Sequence, residues 1–212
     1  MLAQELERLA PLLHERGFPA GATVLSAEQS GEAVYVLLRS SVKVHLLTPD
    51  GAEVILAILG RGEVVGEMSL ADSLGRSASV TTLEESAFLW IDRATFRSGI
   101  ERSPVLARNL ADILSRRMRL ANAHLLSLAA LEVPGRVAAQ VLSLSREYGE
   151  ETEEGVRIPI RFTQSDLAAL VGASRVRINQ ALGYLRKRGL IPIDSEGHFT
   201  VHDENALARR AK

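Results

Sequence analysis

Apolar positions change their spacing along this chain of 212 residues, and each change predicts a different kind of element. Leu2, Leu6, Leu9 and Leu13 recur at helical intervals between charges, which predicts one amphipathic helix from Leu2 to Arg16, ended by Gly17. From Phe18 to Ile91 the apolar residues instead come in short runs: Val34 to Leu38, Val42 to Leu46, Val54 to Leu59 and Ser79 to Ile91. These runs are rich in β-branched residues. Pro19-Ala20-Gly21, Gln29-Ser30-Gly31, Pro49-Asp50-Gly51 and Gly60-Arg61-Gly62 separate them, so the region predicts a barrel or jelly roll.

Helical spacing then returns. Asp92 to Gly99 reads as a brief helical link, and Ser103-Pro104 supplies the cap and first residue of a long helix reaching about Leu131. Along it Leu110, Leu114, Met118, Ala121, Leu125 and Leu128 form a coiled-coil-like seam, while Leu106, Ile113 and Leu120 form a second apolar line. Two lines need two partners: one packs on the chain's own barrel and the other on the same helix of a second subunit, unless a monomer buries both. Pro134-Gly135 predicts a break and a hinge at Val133 to Gly135, after which Arg136 to Tyr148 is helical again.

Gly149 and the acidic run Glu150 to Glu154 read as a solvated loop, and Val156 to Ile160 as a short strand. Thr163 caps a short helix with Asp166 at its third position, Gly172-Ala173 makes a tight turn, and Ser174 caps a second helix reaching Arg188. Ile191 to Ile193 and His198 to Val201, joined through Asp194-Ser195-Glu196-Gly197, read as a hairpin, the wing of a winged helix.

Charge sharpens this division. The net charge of −1 hides 10 Lys/Arg against 5 Asp/Glu in residues 157–212, about +5, with the remainder at about −6. A polyanion is therefore expected to meet the C-terminal part alone. The chain has no cysteine, which excludes disulfides and thiolate metal sites. The five histidines, His14, His45, His124, His198 and His202, are scattered over different elements, which disfavours a cupin-like metalloenzyme. No apolar run approaches a membrane span and the N-terminus alternates charges, so a cytoplasmic protein without a membrane partner is expected.

Two stretches carry candidate chemistry. At the start of the second helix, Ser174, Arg175, Arg177 and Gln180 are donors suited to a recognition helix in the major groove. Arg175 suits bidentate contact with guanine, and Ser174 and Arg177 suit phosphates. The second stretch, Gly66-Glu67-Met68-Ser69-Leu70 with Arg76-Ser77-Ala78, is a polar break between core strands. A glycine lets a guest approach, a carboxylate accepts from a sugar hydroxyl, and an arginine beside a serine grips a phosphate. Equally, Arg76 pairing with Glu67 would satisfy both charges without a ligand.

These residues, in this order over essentially the full length, resemble the CRP/FNR family of bacterial transcription regulators, in its cAMP-receptor branch. The resemblance rests on Gly66 to Leu70 with Arg76-Ser77-Ala78, on Leu131-Glu132-Val133-Pro134-Gly135-Arg136, and on Thr163 to Gln180. It implies an α+β protein: an N-terminal helix and a β-roll (double-stranded jelly-roll) of the cyclic-nucleotide-binding type over 1–102, a dimerisation helix over 103–133, and a winged helix-turn-helix domain over 134–212. It also implies a homodimer on a palindromic duplex operator, with RNA polymerase as a partner and cAMP as allosteric ligand. No cofactor, metal or catalytic residue is implied. Glu67 would take the ribose 2′-hydroxyl, Arg76 and Ser77 the cyclic phosphate, and Gly66, Met68, Ser69 and Ala78 would complete the pocket. The DNA-facing set would be Thr163, Gln164, Ser174, Arg175, Val176, Arg177 and Gln180.

The chain departs from the family at several positions. Ala121 and Asn122 stand where the cAMP receptors offer a threonine-serine pair to adenine, Ser40 stands where a turn glycine is common, and the loop before Arg76 is one residue shorter. Val176 replaces an acidic base-reader and Gln180 an arginine, so the operator is expected to share only part of the usual half-site. A ligand-independent regulator, or one with another effector, is the alternative. Lack of cysteine disfavours the oxygen-sensing iron-sulfur branch.

Overall fold

The computed structural model describes residues 10–71, 75–194 and 197–211. The chain divides into two compact units: residues 1–47 with 56–119, and residues 48–55 with 120–212.

The first unit is a roll of two four-stranded sheets. One has the order β1 (His14–Phe18), β8 (Ser86–Asp92), β3 (Ala33–Arg39), β6 (Val64–Val65), and the other β2 (Thr23–Leu25), β7 (Ser79–Thr82), β4 (Val42–Leu47), β5 (Glu53–Leu59). Leu25, Tyr35, Leu37, Val42, Leu59, Val65, Val80 and Phe88 form its core. Phe18, Tyr35 and Phe88 meet edge to face, with centroids 5.4 to 6.3 Å apart. The run Val34-Tyr35-Val36-Leu37 lacks strict alternation because both faces of β3 are covered. Tyr35 and Leu37 face the core, while Val34 packs with Ile91 and Phe96 on the other side.

Several expectations are corrected here. Residues 1–9 of the expected N-terminal helix lie outside the described residues, but the remainder is not α-helical: Ala10–Leu12 is a 3-10 turn and His14–Phe18 is β1. Pairing decides this, since β1 runs antiparallel to β8 from His14 opposite Trp90 to Phe18 opposite Ser86, and a completed ladder outweighs a weak helical preference. Ser79 to Ile91 is two strands rather than one. The polar break is part helix, since Met68–Ala71 forms α1. Asp92 caps α2 (Arg93–Arg102), accepting from Thr95 N at 2.9 Å.

The long helix α3 is Pro104–Ala130, with Ser103 accepting from Leu106 N at 3.3 Å. Leu106, Ile113 and Leu120 are half-buried, whereas Met118 (68 % exposed), Ala121 and Leu125 (63 %) leave part of the seam open. The break falls earlier than Pro134-Gly135. Leu131 and Glu132 are the non-helical joint, and α4 (Val133–Tyr148) already contains Pro134 in its first turn, where a missing N–H costs nothing. Arg136 Nε donates to Leu131 O at 2.9 Å and satisfies a free carbonyl at the end of α3.

The second unit packs α4 against α5 (Gln164–Val171), α6 (Arg175–Lys187) and α7 (Glu204–Ala208), beside a small sheet ordered β11 (Thr200–Val201), β10 (Gly155–Arg157), β9 (Glu150–Thr152). The acidic stretch read as a loop forms β9, paired with β10 and fully exposed. The expected strand Val156 to Ile160 is shorter, ending at Arg157. The wing is narrower than expected: Ile193 and Phe199 make a single bridge, and Thr200–Val201 pairs with β10. Ser195 and Glu196 lie outside the described residues. Phe162 and Phe199 stack 4.8 Å apart beneath it.

Candidate functional site

Gly66 leaves β6 with φ 87°, a left-handed turn that aims its carbonyl at Arg76. A Cβ there would collide with Arg76 Nη1 and lie 2.9 Å from Ala33 O, so no other residue fits. Arg76 reaches in from the segment before β7. Its Nη1 donates to Gly66 O at 2.9 Å and to Ser69 Oγ at 3.0 Å, and its Nη2 to Ala33 O at 2.7 Å. Every one of these acceptors is neutral. Burial lowers the Arg76 pKa, opposed by Tyr35, Glu67 and Glu32, but an arginine stays charged.

Glu67 does not pair with Arg76. Its Oε1 accepts from Arg117 Nη1 of α3 at 2.7 Å, and the residue is 4 % exposed. Arg117 Nη2 also binds Glu63 Oε2 at 2.8 Å and the Val64 carbonyl, and Arg116 binds Glu63 Oε1. Burial alone would raise the Glu63 carboxyl. The donors on Arg116 and Arg117 overcome that and hold it below the ordinary carboxylate range. Glu67 Oε2 accepts no hydrogen bond among the described residues.

Gly66, Glu67, Ser69, Arg76 and Arg117 line an open cleft with Leu25, Val44, Val65, Met68, Ser77, Ala78 and Val80. Apolar walls with a few convergent polar groups suit a small ligand. Gly66, Glu67, Met68, Ser69, Arg76, Ser77 and Ala78 are all brought together there. Ser77 is exposed and donates to Met68 Sδ at 3.5 Å. Ala121 and Asn122 lie exposed on α3, in the second unit. Sequence reasoning missed Arg116 and Arg117. The signal was present: Arg117 falls four residues after Ile113 and three before Leu120, on the helix line expected to face the barrel.

The second unit holds the other candidate surface. Thr163 and Asp166 form the expected capping box: the Thr163 hydroxyl accepts from Asp166 N at 3.1 Å, and Asp166 Oδ2 accepts from Thr163 N at 2.8 Å. Gly172 ends α5 at φ 62° and turns the chain into Ser174, the cap of α6, which accepts from Arg177 N at 3.4 Å. Ile178, Ala181, Leu182 and Leu185 are buried, while Arg175, Val176, Arg177, Asn179 and Gln180 are exposed. Arg177 leans aside, 3.8 Å from Glu132. Gln164 opens α5, half-buried, and the Thr163 hydroxyl is committed to Asp166 Oδ2 at 2.6 Å.

Among the described residues no helix is long and apolar enough to cross a membrane. Residues 15–103 match the cyclic nucleotide-binding domain and residues 135–210 the Crp-like helix-turn-helix domain. The CRP-like cAMP-activated global transcriptional regulator of Mycobacterium tuberculosis is 36 % identical over 195 residues, 92 % of this chain and 87 % of the relative. Among solved structures, FixK2 from Bradyrhizobium japonicum superposes with a TM-score of 0.84 at 18 % identity, covering 94 % of this chain and 98 % of that one. The c-di-GMP responsive global regulator CLP of Xanthomonas campestris does so with a TM-score of 0.75 at 26 % identity, covering 95 % and 99 %. With a domain of the cyclic nucleotide-binding family and a Crp-like helix-turn-helix domain in one chain, this protein belongs to the CRP/FNR family and is a DNA-binding transcription regulator rather than an enzyme.

Proposed function

We propose that the cleft binds a cyclic nucleotide, cAMP, and that its occupancy switches a homodimer between states that bind a palindromic operator with different affinity. Residues 1–102 sense, 103–133 couple and 134–212 read. The observation that carries this reading is the charge balance of the cleft. Glu67 already holds Arg117, whereas Arg76 is a half-buried cation whose hydrogen bonds among the described residues all go to neutral acceptors. A cyclic phosphodiester would supply Arg76 with an anionic acceptor.

Each side chain then has a task. Arg76 exchanges the Gly66 and Ala33 carbonyls for phosphate oxygens, with the exposed Ser77 hydroxyl beside it. Glu67 keeps Arg117 on Oε1 and accepts a sugar hydroxyl on Oε2. By the family resemblance Asn122, with both donor and acceptor, would be the group offered to the base, and Ala121 would offer no hydrogen bond. Because Glu67 is shared between sugar and α3, a ligand on Glu67 resets the Arg117 contact and thereby biases α3. The exposed stripe of Met118, Ala121 and Leu125 supports a second subunit on α3. The paired recognition helices would then meet half-sites one turn apart, roughly 34 Å. Cytoplasmic location and contact with RNA polymerase belong to the same proposal, as does cAMP over the c-di-GMP named for the Xanthomonas protein.

One observation favours a second reading, a ligand-independent regulator: Arg76 and Glu67 already have partners within the chain. Calorimetry with cAMP, cGMP and c-di-GMP separates the two. The proposal predicts saturable cAMP binding that Arg76→Ala weakens by at least about 100-fold. No heat with any of the three nucleotides would leave the ligand-independent reading standing.

A further inference from the structure

Val176 is the apex of the exposed face of α6. At about 100° per residue, Val176 points roughly opposite Leu185, and the buried Ile178, Ala181, Leu182 and Leu185 all fall within about 60° of that opposite direction. Gln180, Asn179, Gly183 and Lys187 lie on the Val176 side, while Arg177 stands to one side, near Glu132. Val176 is 66 % exposed and stands in the first turn after the Ser174 cap, the part of a recognition helix that goes deepest into the groove. Gly183 lies one further turn pair along the same face, and a Cβ there meets nothing in the protein. The face around the valine is thus low and unobstructed.

Single exposed valines are common and need no explanation on an ordinary surface. On a groove-facing apex the chemistry is more restrictive. Valine has neither donor nor acceptor, so any base edge it covers loses its water without a replacement hydrogen bond. The only apolar group displayed in the major groove is the 5-methyl of thymine. We infer that Val176 is a specificity-determining residue that packs on a thymine 5-methyl in each half-site, between the base pairs met by Arg175 and Gln180. This rests on α6 being the DNA reader, and it adds which base the apex selects and by which atom.

The test first selects operators from random duplexes with the full-length protein, with and without cAMP. Each thymine of one selected half-site is then replaced by deoxyuridine, which removes the methyl and nothing else. The expected result is one position at which wild type loses about fourfold in affinity, the worth of one buried methyl. In Val176→Ala, whose melting curve serves as a folding control, the same replacement costs less than twofold. If a sequence is selected but no replacement matters, or if Val176→Ala shows an equal loss, the inference is overturned while α6 stays the reader. If no sequence is selected under either condition, the DNA-reading role itself fails and the inference falls with it.

Discussion

Arg117 is the only ion-pair partner of Glu67 among the described residues and one of two cations on Glu63, so Arg117→Met is an informative perturbation. Methionine keeps the apolar stem and removes the charge. Glu63 retains Arg116, but Glu67, 4 % exposed, becomes a buried carboxylate with no cation. Removing one member of a buried pair costs about 3–5 kcal/mol. Because Arg117 retains 22 % exposure, the lower end is expected, about 3 kcal/mol, or about 6–12 °C in melting temperature. Glu67→Gln in the same background should restore much of the deficit at pH 7, since an amide tolerates the missing cation. Melts of the three proteins are the assay. A variant within about 1 °C of wild type at pH 7, or a double variant that recovers nothing, would refute the assignment of Arg117 as the partner that neutralises a buried Glu67.

Three other outcomes follow from particular residues. Ser40 sits at φ 74° with its hydroxyl buried and unpartnered, so Ser40→Gly relieves about 1–2 kcal/mol of left-handed strain against about 0.4–1 kcal/mol of added unfolded-state entropy, a net gain visible as a melting point higher by a few degrees. Asp166→Ala opens the capping box and should destabilise the second unit by about 1 kcal/mol in urea titrations, with the slope unchanged. His124 is half-buried against Gln140, and burial lowers its pKa; the stability it contributes is complete above the unfolded value near ~6.5 and is lost as pH falls toward the folded one, a slope that His124→Gln should remove from melts between pH 7 and pH 5.

What could be read without coordinates was whatever local chemistry decides. The capping box at Thr163 and Asp166, the left-handed turn at Gly172 and the buried positions Ile178, Ala181, Leu182 and Leu185 all depend on neighbours within a turn or two, and all stand as expected. The cleft was legible as a set of residues but not as a bonding pattern. Sequence offers Arg76, a near neighbour, as one alternative partner for Glu67, whereas its cation in the structure is Arg117, 50 residues away. Long-range pairing likewise turned His14–Phe18 from helix into strand, because β8 supplied a ladder that no local pattern reveals. Pro134 was read as a breaker where it serves as a first-turn residue, since its sequence neighbourhood alone does not show that Leu131 and Glu132 already ended α3.

The central claim is that occupancy of the Arg76 cleft controls DNA binding. The most direct measurement is fluorescence anisotropy of a selected operator duplex, titrated with the protein at increasing cAMP, for wild type and Arg76→Ala. A half-buried arginine held only by neutral acceptors among the described residues predicts that wild-type affinity changes with cAMP by at least about fivefold, the lower bound of ordinary allosteric coupling, and that Arg76→Ala does not respond. Wild-type affinity that is the same at every cAMP concentration, with the operator still bound sequence-selectively, would contradict it.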